Sequence, residues 1–387
     1  MPVLLAAGGA LIVSLDSAVN IAFPAISAAF GVDAGGVRWV IICYVLTYAV
    51  TAFAAGAFAD RVGPAAVFTA GLVVSTAAYL AYLLVPSYGV LLGVRVLQGL
   101  GGGLVYGTAP ALVTLSLPRE RHGRGLGRLG LGLASGLAIG PVVGGALVER
   151  WGWVGAFVFR APLSGVLAIA AAQGLRRCLP PPATAGSGWR TLLPSAAPGQ
   201  LLLGLGLAFL ANHAQFTVWL LVPYYLLGEL GLSAAAGGWV FLAAPLGAAL
   251  GAPLGGWATD RLGTRVPLVA GLVVETAGLL AVSRFEPTTS LPVVVAGLGL
   301  VGVGLGAFQT PNLAMVMQAY PREGQGVAGG LAFLARTLGI VGGVQVASAI
   351  FGARVGGHGF TDAFASAFLA AGAVAGLAAV LAGAARR

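Results

Sequence analysis

The sequence predicts an all-α membrane protein of twelve transmembrane helices in two pseudo-symmetric six-helix bundles. Three observations carry this reading. Of 387 residues, 58% are hydrophobic and only 8% charged. A soluble domain carries about 25% charged residues, so this chain has too little charge to cover itself in water. Its apolar residues fall in continuous runs about as long as the 20 residues that cross a bilayer, not in the alternating segments of a barrel. Finally, the chain repeats itself. Gly56-Ala57-Phe58-Ala59-Asp60-Arg61-Val62-Gly63 recurs as Gly256-Trp257-Ala258-Thr259-Asp260-Arg261-Leu262-Gly263, and Trp39-Val40 and Ala70-Gly71-Leu72-Val73-Val74 recur in the same register at 239–240 and 270–274.

Taken in order, the first half holds spans at about 3–26, 37–59, 65–85, 88–112, 128–148 and 154–175. The first begins almost at Met1 with no charged leader or cleavage site, so it is expected to remain as an anchor. The second ends in the repeated Asp-Arg turn. The fourth ends near Pro118-Arg119-Glu120, echoed as Pro321-Arg322-Glu323 after the tenth. Residues 176–199 hold Arg176-Arg177, Pro180-Pro181-Pro182 and a Gly/Ser stretch, a partly stiff connector. The second half holds spans at about 200–227, 234–258, 266–284, 291–316, 325–351 and 361–384. The domains predicted are therefore 1–175, a linker at 176–199, and 200–387.

Charge sets orientation. The chain has no lysine, and its 20 basic residues are arginines lying mostly in short turns. Arg61, Arg119, Arg121, Arg124, Arg128, Arg176, Arg177, Arg190, Arg261, Arg265, Arg322, Arg386 and Arg387 share one set of span ends. Arg38, Arg150, Arg284 and Arg354 share the other. The richer side is the cytoplasmic one, so both termini and the linker are expected there. The net charge of +9 then needs no nucleic acid to explain it. With no lysine there is no phosphate-binding Gly-x-x-x-x-Gly-Lys loop. Cys43 and Cys178 suggest no disulfide. No residue pattern suggests a metal, a cofactor or an enzyme.

The ionisable residues inside the spans are the candidate functional groups, because placing them there is costly. Asp16 of span one is the first choice for a proton site, with a static ion pair as the plain alternative. Arg95 of span four lies at a compatible depth to partner it. Arg160, near the outer end of span six, either faces a cavity, as an anion site or second counter-charge to Asp16, or snorkels outward. Glu275 replaces serine at the position repeating Ser75; it reads as a second proton site, a cation attractor or a partner for Arg336. Asn212, His213 and Gln215 form a polar patch in span seven, beside Phe216. Gln309 and Asn312 flank Pro311 in span ten. Asn20, Tyr44 and Gln98 complete the expected substrate contacts. Tyr48, Trp219, Tyr224 and Tyr225 are candidates for an aromatic pocket, for interface anchoring or for plain packing.

Four motifs carry a resemblance over essentially the whole length. They are the doubled Gly-x-x-x-Asp-Arg-x-Gly, Arg95-Val96-Leu97-Gln98-Gly99 in span four, Gly136-Leu137-Ala138-Ile139-Gly140-Pro141-Val142-Val143-Gly144-Gly145 in span five, and Leu15-Asp16-Ser17-Ala18-Val19-Asn20-Ile21-Ala22-Phe23-Pro24 in span one. Together they resemble the major facilitator superfamily. The span-one stretch is similar to its drug/proton antiporter branch, which exports quaternary ammonium compounds. That branch usually has fourteen spans, whereas this chain shows twelve. Its loop motif continues with basic residues, whereas Pro64-Ala65-Ala66 follow here. It has an asparagine near Arg160.

The resemblance implies gating roles for Asp60, Arg61, Gly63, Asp260, Arg261 and Arg336, and for Gly136, Gly140 and Pro141 as a close-packed, bendable surface. The function it implies is proton-coupled export of amphipathic drugs by alternating access. The partners expected are a small-molecule substrate, protons and lipid, with the chain acting as a monomer in a bacterial cytoplasmic membrane. An organic-anion or metabolite carrier using Arg160 is the second reading, and a non-transporting receptor the third.

Overall fold

The structure is a computed structural model. It describes residues 1–118, 121–178, 198–320 and 325–384; the side chains of residues 34, 56, 57, 60, 61, 122, 123, 176–178, 198 and 325–327 lie outside the description. Among the described residues the regular structure is helical, with no strand. The helices are α1 (Pro2–Ser14), α2 (Ala18–Ile21), α3 (Phe23–Phe30), α4 (Ala34–Val62), α5 (Pro64–Ala81), α6 (Tyr88–Ser116), α7 (His122–Trp151), α8 (Gly155–Val158) and α9 (Arg160–Cys178). They continue as α10 (Pro198–Tyr224), α11 (Ala234–Phe241), α12 (Ala243–Leu262), α13 (Arg265–Val282), α14 (Leu291–Gln318) and α15 (Gln325–Ala384). The expected linker lies almost wholly outside the described residues.

Eleven of the described stretches are long and apolar enough to cross a membrane. The last, Ala328–Ala384, is 57 residues long, and a straight helix of that length would extend about 85 Å. It does not run straight. Gly359 takes φ 79° and ψ 173° inside it. Phe351 and Phe360 then meet with ring centroids 5.2 Å apart, and Arg354 donates to the Ser366 hydroxyl at 2.9 Å. Twelve residues along a helix are about 18 Å apart, so the chain folds back at Gly359. The two legs correspond to the runs at 325–351 and 361–384.

The chain divides into two compact units. One comprises Met1–Gly31, Trp39–Gly186 and Ser233–Gly238; the other comprises Val32–Arg38, Ser187–Leu232 and Trp239–Arg387. In the first, α1 packs on α6, α7 and α9, and α5 on α6 and α9. Val13, Phe68, Leu72, Val105, Leu112 and Leu175 are among the residues of its core. In the second, α13 packs on α14 and α15, α12 on α14, and α10 on α15. Leu207, Leu268, Leu272 and Phe308 belong to its core.

The sequence repeat is a structural repeat. A methyl group added at Gly71 would lie 2.9 Å from the Gly101 carbonyl, and one at Gly271 would lie 2.9 Å from the Gly304 carbonyl. Thr76 and Thr276 each donate to the carbonyl four residues back at 2.8 Å. Val73 and Leu80 are exposed, as are Val273 and Leu280. Outward apolar residues at matching positions form the lipid-facing side in both copies, since lipid offers no penalty to them.

The repeated Asp-Arg segment differs from expectation. It is not an open loop. α4 runs through Asp60 and Arg61 to Val62, and α12 through Asp260 and Arg261 to Leu262. The turn is confined to Gly63 and Gly263, with φ 89° and 75°. Only glycine adopts such backbone readily. Pro64 then opens α5 in its first turn, where a missing N–H is harmless. Asp60 therefore ends one helix and is not the cap of the next.

Candidate functional site

Span one is not a single helix. α1 stops at Ser14, a 3₁₀ turn covers Leu15–Ser17, and α2 takes over at Ala18. A second interruption falls at Ala22, before α3. Pro24 contributes, because it cannot donate to the carbonyl four residues back. Asp16 sits in the 3₁₀ turn, with its side chain 14% exposed.

Three side chains converge on this residue. Arg95 Nη1 donates to Asp16 Oδ1 at 2.9 Å and Nη2 to Oδ2 at 3.1 Å. Gln98 Nε2 donates to Oδ1 at 2.7 Å, and Arg160 Nη1 donates to the same oxygen at 3.0 Å. Arg95 and Gln98 stand one turn apart on α6, whereas Arg160 opens α9. Tyr82 donates its hydroxyl to Gln98 Oε1 at 2.6 Å, and Arg95 Nη1 shares that acceptor at 3.0 Å. Arg95 Nε donates to the Val40 carbonyl of α4 at 2.7 Å. A carboxylate that only accepts hydrogen bonds matches a site where every neighbouring group donates.

Both guanidinium groups also lie over aromatic rings. Arg95 Cζ is 4.4 Å from the Tyr44 ring centroid, and Arg160 Cζ is 4.5 Å from that of Tyr79. Such contacts stabilise a desolvated cation by about 0.5–2 kcal/mol. Tyr44, Tyr48 and Tyr106 continue as a ladder of rings, with centroids 5.8 Å and 5.1 Å apart.

Two cations face one anion here, so the cluster keeps a positive surplus. Arg160 is fully buried, and its Nε and Nη2 have no hydrogen-bond partner among the described residues. Of its two sequence readings, snorkelling is corrected. The side chain turns inward because Asp16 attracts it and Tyr79 gives it a face to lie on.

Other expected residues are placed differently. Gln98 is buried and engages Asp16 and Tyr82, so its amide serves the ion cluster. Asn20 donates to the Ser17 carbonyl at 3.1 Å, bracing the broken segment. Glu275 is fully buried and neither of its oxygens has a hydrogen-bond partner among the described residues, so it makes no hydrogen bond to Arg336. Asn212 and Gln215 are buried on α10, and Asn312 on α14, each with its amide oxygen lacking a hydrogen-bond partner among the described residues. His213 is half-buried, its ring centroid 6.0 Å from that of Phe209 and its Nδ1 without a hydrogen-bond partner among the described residues. Phe216 stacks at 6.1 Å on Trp219. Gln309 is half-buried, and Arg336 lies half-buried on the first leg of α15. Tyr225 is locked among Phe285 and Phe364, with its hydroxyl on the Glu286 carbonyl. That is packing, as the plainer reading of these aromatics had it.

The expected gating residues divide in two. Gly136 and Gly140 of α7 press on α1 and α2, where a methyl at Gly136 would lie 2.5 Å from the Leu11 carbonyl and one at Gly140 would lie 2.9 Å from Ala18 N. Pro141 sits inside α7 without breaking it. Arg261 lies exposed with Cζ 4.4 Å from the Trp257 ring, and Asp260 is exposed beside it. The side chains of Asp60 and Arg61 lie outside the described residues.

Sequence reasoning missed Val40, Tyr79 and Tyr82. A backbone carbonyl leaves no mark in a sequence. Tyr79 and Tyr82 carry a weak signal, since both fall one turn apart near the end of span three.

The chain is similar to known proteins throughout. It is 25% identical to the riboflavin transporter RibZ of Clostridioides difficile over 396 residues, 89% of this chain and 86% of that protein. It is 29% identical to the multidrug resistance protein Stp of Mycobacterium tuberculosis, over 89% of this chain and 74% of Stp. It is 28% identical to the tetracenomycin C resistance and export protein of Streptomyces glaucescens, over 92% of this chain and 76% of that one. Among solved structures, a bacterial homologue of the human lysosomal transporter Spinster, inward-facing and unoccupied, superposes with a TM-score of 0.84 over 98% of this chain and 95% of that one, at 16% identity. That likeness is one of fold. The family profile described as Major Facilitator Superfamily matches residues 5–214 and again 201–387. With its duplicated helical units, its apolar spans and a match from end to end, this chain is a multi-pass membrane transporter of the Major Facilitator Superfamily and not an enzyme.

Proposed function

We propose that the chain is a proton-coupled exporter of amphipathic small molecules. The single observation that carries this is Asp16, a carboxylate at a break in a spanning segment, gripped by Arg95, Arg160 and Gln98. A proton arriving at Asp16 cancels the anion and leaves two buried guanidinium groups facing one another's charge. Buried cations without a partner are costly. Protonation therefore changes the relative stability of any two helix arrangements that differ in how they hold these arginines, and that difference is all that coupling requires. The names of Stp and of the tetracenomycin C protein support export of drug-like compounds. In this reading each leg of α15 crosses the bilayer, giving twelve spans, and the chain works as a monomer in the cytoplasmic membrane with both termini inside. The test is proton movement coupled to substrate in proteoliposomes. Asp16→Asn is expected to abolish it, and wild-type coupling in that variant removes Asp16 from the role.

A second reading is favoured by one observation of its own. Arg160 presents two buried N–H groups, Nε and Nη2, that have no hydrogen-bond acceptor among the described residues. They suit an anionic group on a substrate, and the name of RibZ extends the range of compounds beyond drugs. Competition between anionic and cationic compounds separates the readings. Anion affinity preserved in Arg160→Ala sinks the second.

A further inference from the structure

Glu275 lies in the middle of α13 and is shielded on every side. The residue is 0% exposed, and neither carboxyl oxygen has a hydrogen-bond partner among the described residues. Its counterpart in the first copy, Ser75, is equally enclosed. α14 closes directly on the Glu275 backbone, where a methyl at Gly304 would lie 2.6 Å from its Cα.

The duplication explains the isolation. In the register that sets Gly101 on Gly304, Arg95 falls on Leu298 and Gln98 on Val301; Tyr79 falls on Leu279 in the register of α5 and α13. All three replacements are apolar and fully buried. The second copy has lost the donors that would receive a carboxylate, yet it carries a carboxyl group that the first copy lacks.

Among the described residues, no side chain of the surrounding elements donates a hydrogen bond to Glu275. α14 has no ionisable side chain. α12 has only Asp260 and Arg261, exposed in its last turn. α10 has His213. The second leg of α15, which meets α13 where Gly372 faces Leu280 and Gly376 faces Thr276, has only the exposed Asp362. The first leg has Arg336, Arg354 and His358, and α13 itself has Arg265 at its start. None of them donates a hydrogen bond to Glu275. A carboxyl group enclosed in this way takes up a proton in preference to remaining an uncompensated anion.

We propose that Glu275 is a second proton-carrying site, a neutral carboxylic acid in this arrangement that gives up its proton only when α13 and α14 part enough to admit water. The same state makes it the residue that an apolar carbodiimide modifies. The acid adds across one C=N bond of dicyclohexylcarbodiimide, its proton going to a nitrogen and its oxygen to the central carbon. The resulting O-acylisourea rearranges by acyl migration to a stable N-acylurea, with no atom lost. Asp16, acceptor to Arg95, Arg160 and Gln98, has no such proton to give. The proposal is independent of Asp16 coupling and of the substrate, so either can fail without the other.

Infrared spectroscopy of the full-length protein in detergent at neutral pH tests the protonation state. The carbonyl stretch of a protonated carboxylic acid, free of hydrogen bonds, is expected in the wild type, lost in Glu275→Gln and kept in Asp16→Asn. Glu275→Ser, which restores the residue of the first copy, is the second variant should the glutamine misfold. Dicyclohexylcarbodiimide is expected to add one equivalent to the α13 peptide on mass mapping, and a water-soluble carbodiimide far less. A carbonyl band that survives both Glu275 variants, or an adduct confined to the peptide of Asp16, overturns the proposal.

Discussion

Arg95 grips Asp16 through both terminal nitrogens, at 2.9 Å and 3.1 Å to the two carboxylate oxygens. The same guanidinium donates from Nε to the Val40 carbonyl at 2.7 Å. Three helical segments of the first unit are thus tied by one side chain. Arg95→Ala is expected to destabilise the protein by about 3–5 kcal/mol, the scale of breaking a buried ion pair. Thermal unfolding in detergent checks this. Arg95→Lys should rescue only part, because an ammonium cannot span both oxygens and the carbonyl.

Asp16→Asn keeps the shape of the side chain and removes the charge. Substrate-coupled proton movement is expected to be abolished, as followed in proteoliposomes. Substrate binding by the same variant, followed as ligand-induced thermal stabilisation, should persist.

Arg160 has two N–H groups without an acceptor among the described residues, and its loss leaves Asp16 with Arg95 and Gln98. Arg160→Ala should therefore fold, while losing roughly tenfold in affinity for an anionic ligand, about 1.4 kcal/mol. Equilibrium binding with a matched pair of anionic and cationic probes makes the comparison. Equal losses for both probes would count against a direct contact.

The glycines of α6 divide by position. A methyl at Gly101 would lie 2.5 Å from Ser75 Oγ and 2.7 Å from Ser75 N, whereas Gly93 has open space within 4 Å. Gly101→Val should cost about 1–3 kcal/mol through overpacking. Gly93→Ala should be stabilising by about 0.5–1 kcal/mol, since alanine loses less backbone freedom in a helix. Opposite signs in the melting temperature are the expected outcome.

Gly359→Ala places a side chain at φ 79°. The expected cost is about 1–3 kcal/mol, the scale of a residue held in sparsely populated backbone. The second leg of α15 should loosen from α13 first. Hydrogen exchange across 360–384, compared with α10, locates the effect.

The repeat, the spans and the membrane setting were legible in the linear chain, because each rests on properties that add along it. Apolar length, arginine placement and the matching of Gly56–Gly63 with Gly256–Gly263 need no folding to be counted. The partnership of Asp16 with Arg95 was within reach for a similar reason: depth along a helix is proportional to residue number.

Direction was not legible. Whether Arg160 turned inward or outward depended on Tyr79 and Asp16, which lie far from it in the chain and beside it in the fold. The Asp-Arg segments read as loops because their composition is polar, yet α4 and α12 run on through them until glycine permits the turn. Glu275 could be identified as a buried carboxyl group in a span but not as a solitary one. Its isolation is a property of the face made by α13 and α14, where Leu298, Val301 and Leu279 stand in place of Arg95, Gln98 and Tyr79. The chain by itself determined which residues enter the membrane. Only the tertiary structure decided which of them meet, because contact depends on helix rotation and packing, and neither is written in residue spacing.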